Sequence, residues 1–162
     1  MPPEIRVLAF DPGYERLGVA VLARRSGKDV LLHSDCIITA RDIPFSERLG
    51  EIGTAARTAF KTFQPNVVAL ERLYFGTNKK TALAVAEVRG LLTFLADEAN
   101  VPIIEYAPGT VKLSVTGHGK SDKAQVAKMV ALLLKVKKKI LYDDEYDAIA
   151  VGLTCLARGG RG

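Results

Sequence analysis

Sulfur and imidazole are scarce in this chain, which has two cysteines and two histidines among 162 residues. Cys36 and Cys155 lie far apart among apolar neighbours. They have neither zinc-site spacing nor a disulfide framework, and read as buried thiols of a reducing compartment. No apolar run approaches the roughly 20 residues that a membrane helix needs. The opening MPPEIRV has no basic segment followed by an apolar one, so no secretory leader is expected and the expected setting is the cytoplasm. There is no internal repeat and no low-complexity stretch. Acid is scarce in one region: Lys112, Lys120, Lys123, Lys128, Lys135, Lys137, Lys138 and Lys139 share their span with a single acid, Asp122. With a net charge of +5, that one-sided stretch favours a phosphate-contacting surface over a merely solvated face.

What is present reads as an α/β chain. Residues 5–10, 17–25 and 28–39 have strand character, and the RRSGKD link predicts a hairpin between the second and third. Residues 44–63 carry apolar positions at helical spacing (Leu49, Ile52, Ala56, Ala59, Phe60, Phe63), broken by Gln64-Pro65-Asn66. VVAL at 67–70 predicts a strand buried on both faces. A long helix is expected over 78–99, a strand in VPIIEY, helices over 107–115 and 121–134, and a last helix over about 144–158. This order predicts a mixed five-stranded sheet flanked by helices. Residues 1–158 are expected to form one domain, with 159–162 as a short tail.

Carboxylates stand at telling places. Asp11 ends the first strand and Glu71 ends VVAL, and strand ends in α/β sheets open onto ligand crevices. Asp143, Asp144, Glu145 and Asp147 open the last helix, with Asp144 and Asp147 on one helical face. The rest of that helix, AIAVGLTCLA, is so apolar that it must be buried. Each acid has a plain alternative: an Asx turn for Asp11 before Pro-Gly, a pair with Arg72 for Glu71, and helix-dipole compensation for the last group. Together they could converge, and no histidine–cysteine cluster competes. An oxygen-only set suits magnesium or manganese. Two such ions about 4 Å apart can clamp an in-line phosphoryl displacement. An acidic metal site beside a basic surface is the expected layout of a nuclease.

Six segments, in this order, resemble one family: FDPGYERLG, QPNVVALERLYF, AVAEVRG, EYAPGTVK, GHGKSDKAQV and DDEYDAIAVGL. The chain resembles the RuvC family of bacterial Holliday junction resolvases, within the ribonuclease H-like superfamily. The resemblance implies a ribonuclease H-like fold and catalytic, metal-binding carboxylates at Asp11, Glu71, Asp144 and Asp147, with Asp143 an alternative to Asp144. It implies two Mg2+ ions per site, or Mn2+, and a homodimer built on the 78–99 helix that nicks opposite strands of a four-way DNA junction, leaving 5′-phosphate and 3′-hydroxyl ends. Tyr74 would stack on junction bases, with Phe75 beside it. Lys112, Lys120 and Lys123 are the expected DNA-binding lysines. The implied setting is a bacterial, nucleoid-associated cytoplasmic enzyme, and a RuvA–RuvB branch-migration complex is a candidate partner. Arg89 and Gly90 also match the family, Gly90 allowing close helix packing. Ala20 stands in place of a frequent second glycine, Ser121 in place of a frequent alanine, and the KVKKKI link is more basic than usual. Two rivals remain within reach of the residues: an RNA-processing nuclease of the same superfamily, and a non-catalytic nucleic-acid binder on this scaffold. An ATP-binding module of the actin and sugar-kinase type would need a second phosphate motif and about twice the length.

Overall fold

The structure is a computed structural model and describes residues 3–74 and 78–162. Strand β1 (Ile5–Asp11) runs antiparallel to β2 (Arg16–Arg25), which runs antiparallel to β3 (Lys28–Ile38). Helix α1 (Phe45–Phe63) leads to β4 (Val67–Glu71), and α2 (Lys79–Glu98) leads to β5 (Ile103–Tyr106). Helices α3 (Pro108–Thr116), α4 (Lys123–Leu134) and α5 (Asp143–Ala157) follow. The sheet order is β3-β2-β1-β4-β5, with β4 and β5 parallel to their neighbours, so the sheet is mixed and five-stranded as expected.

Helices cover both faces, which is why the central strands read as unbroken apolar runs. In β1, Val7 and Ala9 face the layer of α3, α4 and α5, while Leu8 and Phe10 face α1 and α2. Val67 and Ala69 of β4 repeat the first pattern, Val68 and Leu70 the second. Helix α5 is apolar all round because it is enclosed: every residue from Ala148 to Leu156 is buried. It lies so close to the sheet that a β-carbon on Gly152 would overlap the Leu22 side chain. The outer strand β3 is mostly half-buried or exposed, as an edge strand is.

Local signals set the helix ends. Asn78 caps α2, its side chain accepting a hydrogen bond from the Thr81 amide at 3.2 Å. Asp122, the lone acid of the basic stretch, caps α4 in a reciprocal box with Gln125. Helix α4 therefore starts at Lys123, two residues later than the sequence pattern suggests. Strand β5 begins at Ile103 rather than Val101, because the Val101 amide is used by the Ala96 carbonyl at the end of α2. The end of the chain is tied back to the sheet: the Tyr106 hydroxyl donates to the Arg161 carbonyl at 2.8 Å.

Candidate active site

Asp11 is the last residue of β1 and pairs across the ladder with Gly18 of β2. It is therefore a strand-end carboxylate rather than an Asx-turn residue. The parallel register of β1 and β4, Phe10 against Leu70, makes Asp11 and Glu71 the next residues of adjacent strands at one end of the sheet. Helix α5 brings the third segment. A β-carbon on Gly18 would overlap the Asp144 carbonyl and lie 3.2 Å from the Asp11 β-carbon. Only glycine at position 18 lets the first turn of α5 sit against β2 there.

The acids feel one another. Burial, then Asp147, Asp144 and Glu71, push the Asp11 carboxyl up to about 7. Burial and Asp147 raise Glu71, and burial also raises Asp147, against the pull of Lys123. Mutual elevation of this kind marks acids held together in a partly dry cleft. Asp143 stands apart, with a side chain 74% exposed, while Asp144 is half-buried. The inward acid of that pair is Asp144.

Cations answer this charge. Lys123 lies 3.3 Å from Asp147 and 3.9 Å from Asp143. Arg16 places its Nε 3.1 Å from Asp144 Oδ2 and stacks on the Tyr142 ring. Among the described residues Oδ2 nonetheless has no hydrogen-bond partner and is buried, so the arginine gives it charge at a poor angle. Glu71 is braced from behind by Arg89, which donates to the Glu71 carbonyl at 2.7 Å and pairs with Glu105. Arg72 is not that partner: its side chain is exposed and its amide bonds the Tyr106 carbonyl.

An open cleft of about 450 Å³ contains Asp11, Glu71 and Asp147 with Lys112, Lys123, Arg89 and Tyr74 along its walls. Tyr74 is 59% exposed at the rim. Lys120 is exposed in the α3–α4 turn and does not line the cleft. Phe75 lies outside the described residues. Among the described residues no three acids, histidines or cysteines already stand as an ion-binding cage. The donor set still fits a hard divalent cation: it is all oxygen, it carries excess negative charge, and one buried oxygen is unsatisfied. Lys123 and Arg16 offset part of that negative charge through Asp147 and Asp144.

A family model described as Crossover junction endodeoxyribonuclease RuvC matches residues 7–155. The chain belongs to the RuvC family. A family member named Crossover junction endodeoxyribonuclease RuvC, from Petrotoga mobilis, is 37% identical over 144 residues, covering 89% of this chain and 88% of that one. The RuvC structure from Thermus thermophilus is 32% identical, covers 96% of this chain and 95% of its own, and superposes with a TM-score of 0.86. The T. thermophilus RuvC solved in complex with Holliday junction substrate superposes with a TM-score of 0.89 at the same identity. The RuvC family thus supplies the ribonuclease H-like fold expected from the sequence. Arg16 and Arg89 are the site residues that sequence reasoning left without a role. The VRG match was the signal available for Arg89; Arg16 had none.

Proposed function

We propose that this chain is a structure-selective DNA endonuclease that resolves four-way junctions by paired nicks, in recombination and repair in the bacterial cytoplasm. The observation that carries this reading is the convergence of Asp11, Glu71, Asp144 and Asp147 at one end of the sheet, beside a lysine-lined cleft. These four carboxylates would hold magnesium or manganese ions, two per site. Bound there, the ions would lower the pKa of an attacking water and offset charge on the leaving oxygen. The water oxygen forms a new bond to phosphorus as the bond to the 3′ oxygen breaks, which leaves 5′-phosphate and 3′-hydroxyl ends. Lys112 and Lys123 hold the phosphates flanking that bond, and Lys120 contacts the backbone farther out. Tyr74 stacks on a junction base, an interaction of roughly 1–3 kcal/mol. Arg89 fixes the height of Glu71 in the cleft.

Junction selectivity follows from two such sites in a homodimer. Helix α2 is the interface in this reading. Leu83, Glu87, Gly90 and Phe94 fall on one exposed stripe of it, with Leu83 64% and Phe94 58% exposed. Among the described residues, a β-carbon on Gly90 would meet nothing within 4 Å. That open space beside the glycine would let a second α2 approach. Residues 1–158 act as one nuclease domain.

The test separates binding from cutting. Replacing Asp11, Glu71, Asp144 or Asp147 by its amide should abolish single-turnover cleavage of a labelled junction and leave its gel shift intact. Tyr74→Ala should weaken the shift roughly 5- to 150-fold, the equivalent of that stacking energy. An Asp11→Asn protein that cuts at the wild-type rate would refute the assignment.

A further inference from the structure

Residues 135–142 join α4 to α5 with the sequence KVKKKILY. One lysine of this link is used internally. The Lys138 ammonium lies 2.5 Å from Glu145 Oε1 and donates to the Ser34 carbonyl at 2.5 Å. The Ser34 hydroxyl donates to the same Glu145 oxygen at 2.6 Å. Glu145 is 5% exposed. A carboxylate that deep is tolerated when it is paired and hydrogen-bonded, as here. The clamp fastens an irregular link to edge strand β3 on one side and to the first turn of α5 on the other.

Lys135, Lys137 and Lys139 are left over. All three are exposed, and among the described residues no acid lies within ion-pair distance of them. The place where Lys138 fastens the link follows from the ladder. Asp11 pairs with Gly18, Gly18 with Cys36, and Ser34 lies two residues along β3. Strands about 4.8 Å apart and a rise of about 3.3 Å per residue put Ser34 roughly 12 Å from Asp11. The fastened link thus lies close to the carboxylate cleft, at the acidic start of α5. A polycation held in place loses less freedom on meeting a polyanion than a loose loop does.

We propose that Lys135, Lys137 and Lys139 form a second phosphate-contact site, taking the backbone of a junction arm outside the cleft. The Lys138–Glu145–Ser34 clamp is its positioning device. The inference rests on the reading of the chain as a junction nuclease. It favours DNA over an acidic protein because the three cations close the acid-poor span 112–139 that also supplies Lys112 and Lys123 to the cleft.

The experiment is junction affinity as a function of salt for wild type and for Lys135→Gln/Lys137→Gln/Lys139→Gln, with cleavage measured at saturating protein. The three positions are exposed, and an unchanged melting temperature verifies the fold. Each phosphate contact contributes about 0.9 to the slope of log affinity against log salt. The variant should lose two to three units of slope and roughly 10- to 100-fold of affinity near 0.1 M salt. Its saturated nicking rate should stay at the wild-type value, since none of the three touches the reacting phosphate. A variant with the wild-type slope would overturn this site and leave the nuclease reading standing. A wild-type chain that bound no junction would overturn both.

Discussion

Replacing Asp11 by asparagine should stabilise the metal-free protein above neutral pH while it abolishes nicking. The folded chain holds the Asp11 proton up to about pH 7, against 3.8 for an ordinary aspartate, first through burial and then through Asp147, Asp144 and Glu71. Below the unfolded pKa the carboxyl is protonated in both states and folding bears no penalty from it. As pH rises from about 4 to about 7, the unfolded chain releases the proton and the folded chain keeps it. Stability falls across that window and levels off above it. At about 1.36 kcal/mol per pH unit, the displacement of roughly three units sets a ceiling of about 4 kcal/mol. Asp11 is only half-buried and faces an open cleft, so about half of that is expected, roughly 2 kcal/mol. For a chain of this length that corresponds to about 4–8 °C in melting temperature. The assay is thermal melting in EDTA at pH 8 and pH 5. The variant should melt higher than wild type at pH 8, and less than half of the gap should remain at pH 5. Magnesium should raise the wild-type midpoint more than the variant's. Equal midpoints at pH 8, or a gap unchanged by pH, would refute the argument that these acids repel one another in the folded state.

Three other substitutions probe the frame of the site. Gly18→Ala should push α5 off β2, lower stability by about 3 kcal/mol, and cut nicking at least tenfold when assayed below its melting point, through displacement of Asp144. Arg89→Gln leaves the Glu71 carbonyl without its guanidinium and should lower the saturated nicking rate roughly 10- to 100-fold, with the salt dependence of junction binding unchanged. Lys112→Gln and Lys123→Gln should each remove about one unit from the salt slope of junction affinity, measured by fluorescence anisotropy.

The architecture was legible because period and burial agree along the chain. VVAL reads as a doubly buried strand and AIAVGLTCLA as an enclosed helix, and Val67–Leu70 and Ala148–Leu156 are buried throughout. The boundaries that moved did so for local hydrogen-bonding reasons, Asp122 capping α4 and Ala96 claiming the Val101 amide. The carboxylates were legible as strand-end and helix-start acids. The burial of Asp144 and the exposure of Asp143 were not, because both sit in the same turn and the close approach of α5 to Gly18 belongs to another strand. The brace on Glu71 comes from Arg89, across a long helix. Its sequence neighbour Arg72 is exposed and makes no ion pair with Glu71 among the described residues. Lys120 carried the right charge in a motif that resembles the family, and the fold leaves it outside the cleft. The Arg16–Asp144 and Lys138–Glu145–Ser34 contacts join segments far apart in sequence, which periodicity cannot register.

The central claim is most directly tested on a synthetic four-way junction, each strand labelled in turn, incubated with the protein and magnesium beside a linear duplex and an RNA–DNA hybrid. Paired nicks are expected at symmetric positions on two opposing strands of the junction, with ends that a ligase can rejoin, and neither control cut. Cleavage of the hybrid alone would assign the carboxylate site to RNA processing, and junction binding without any nick under these conditions would rule out a junction nuclease.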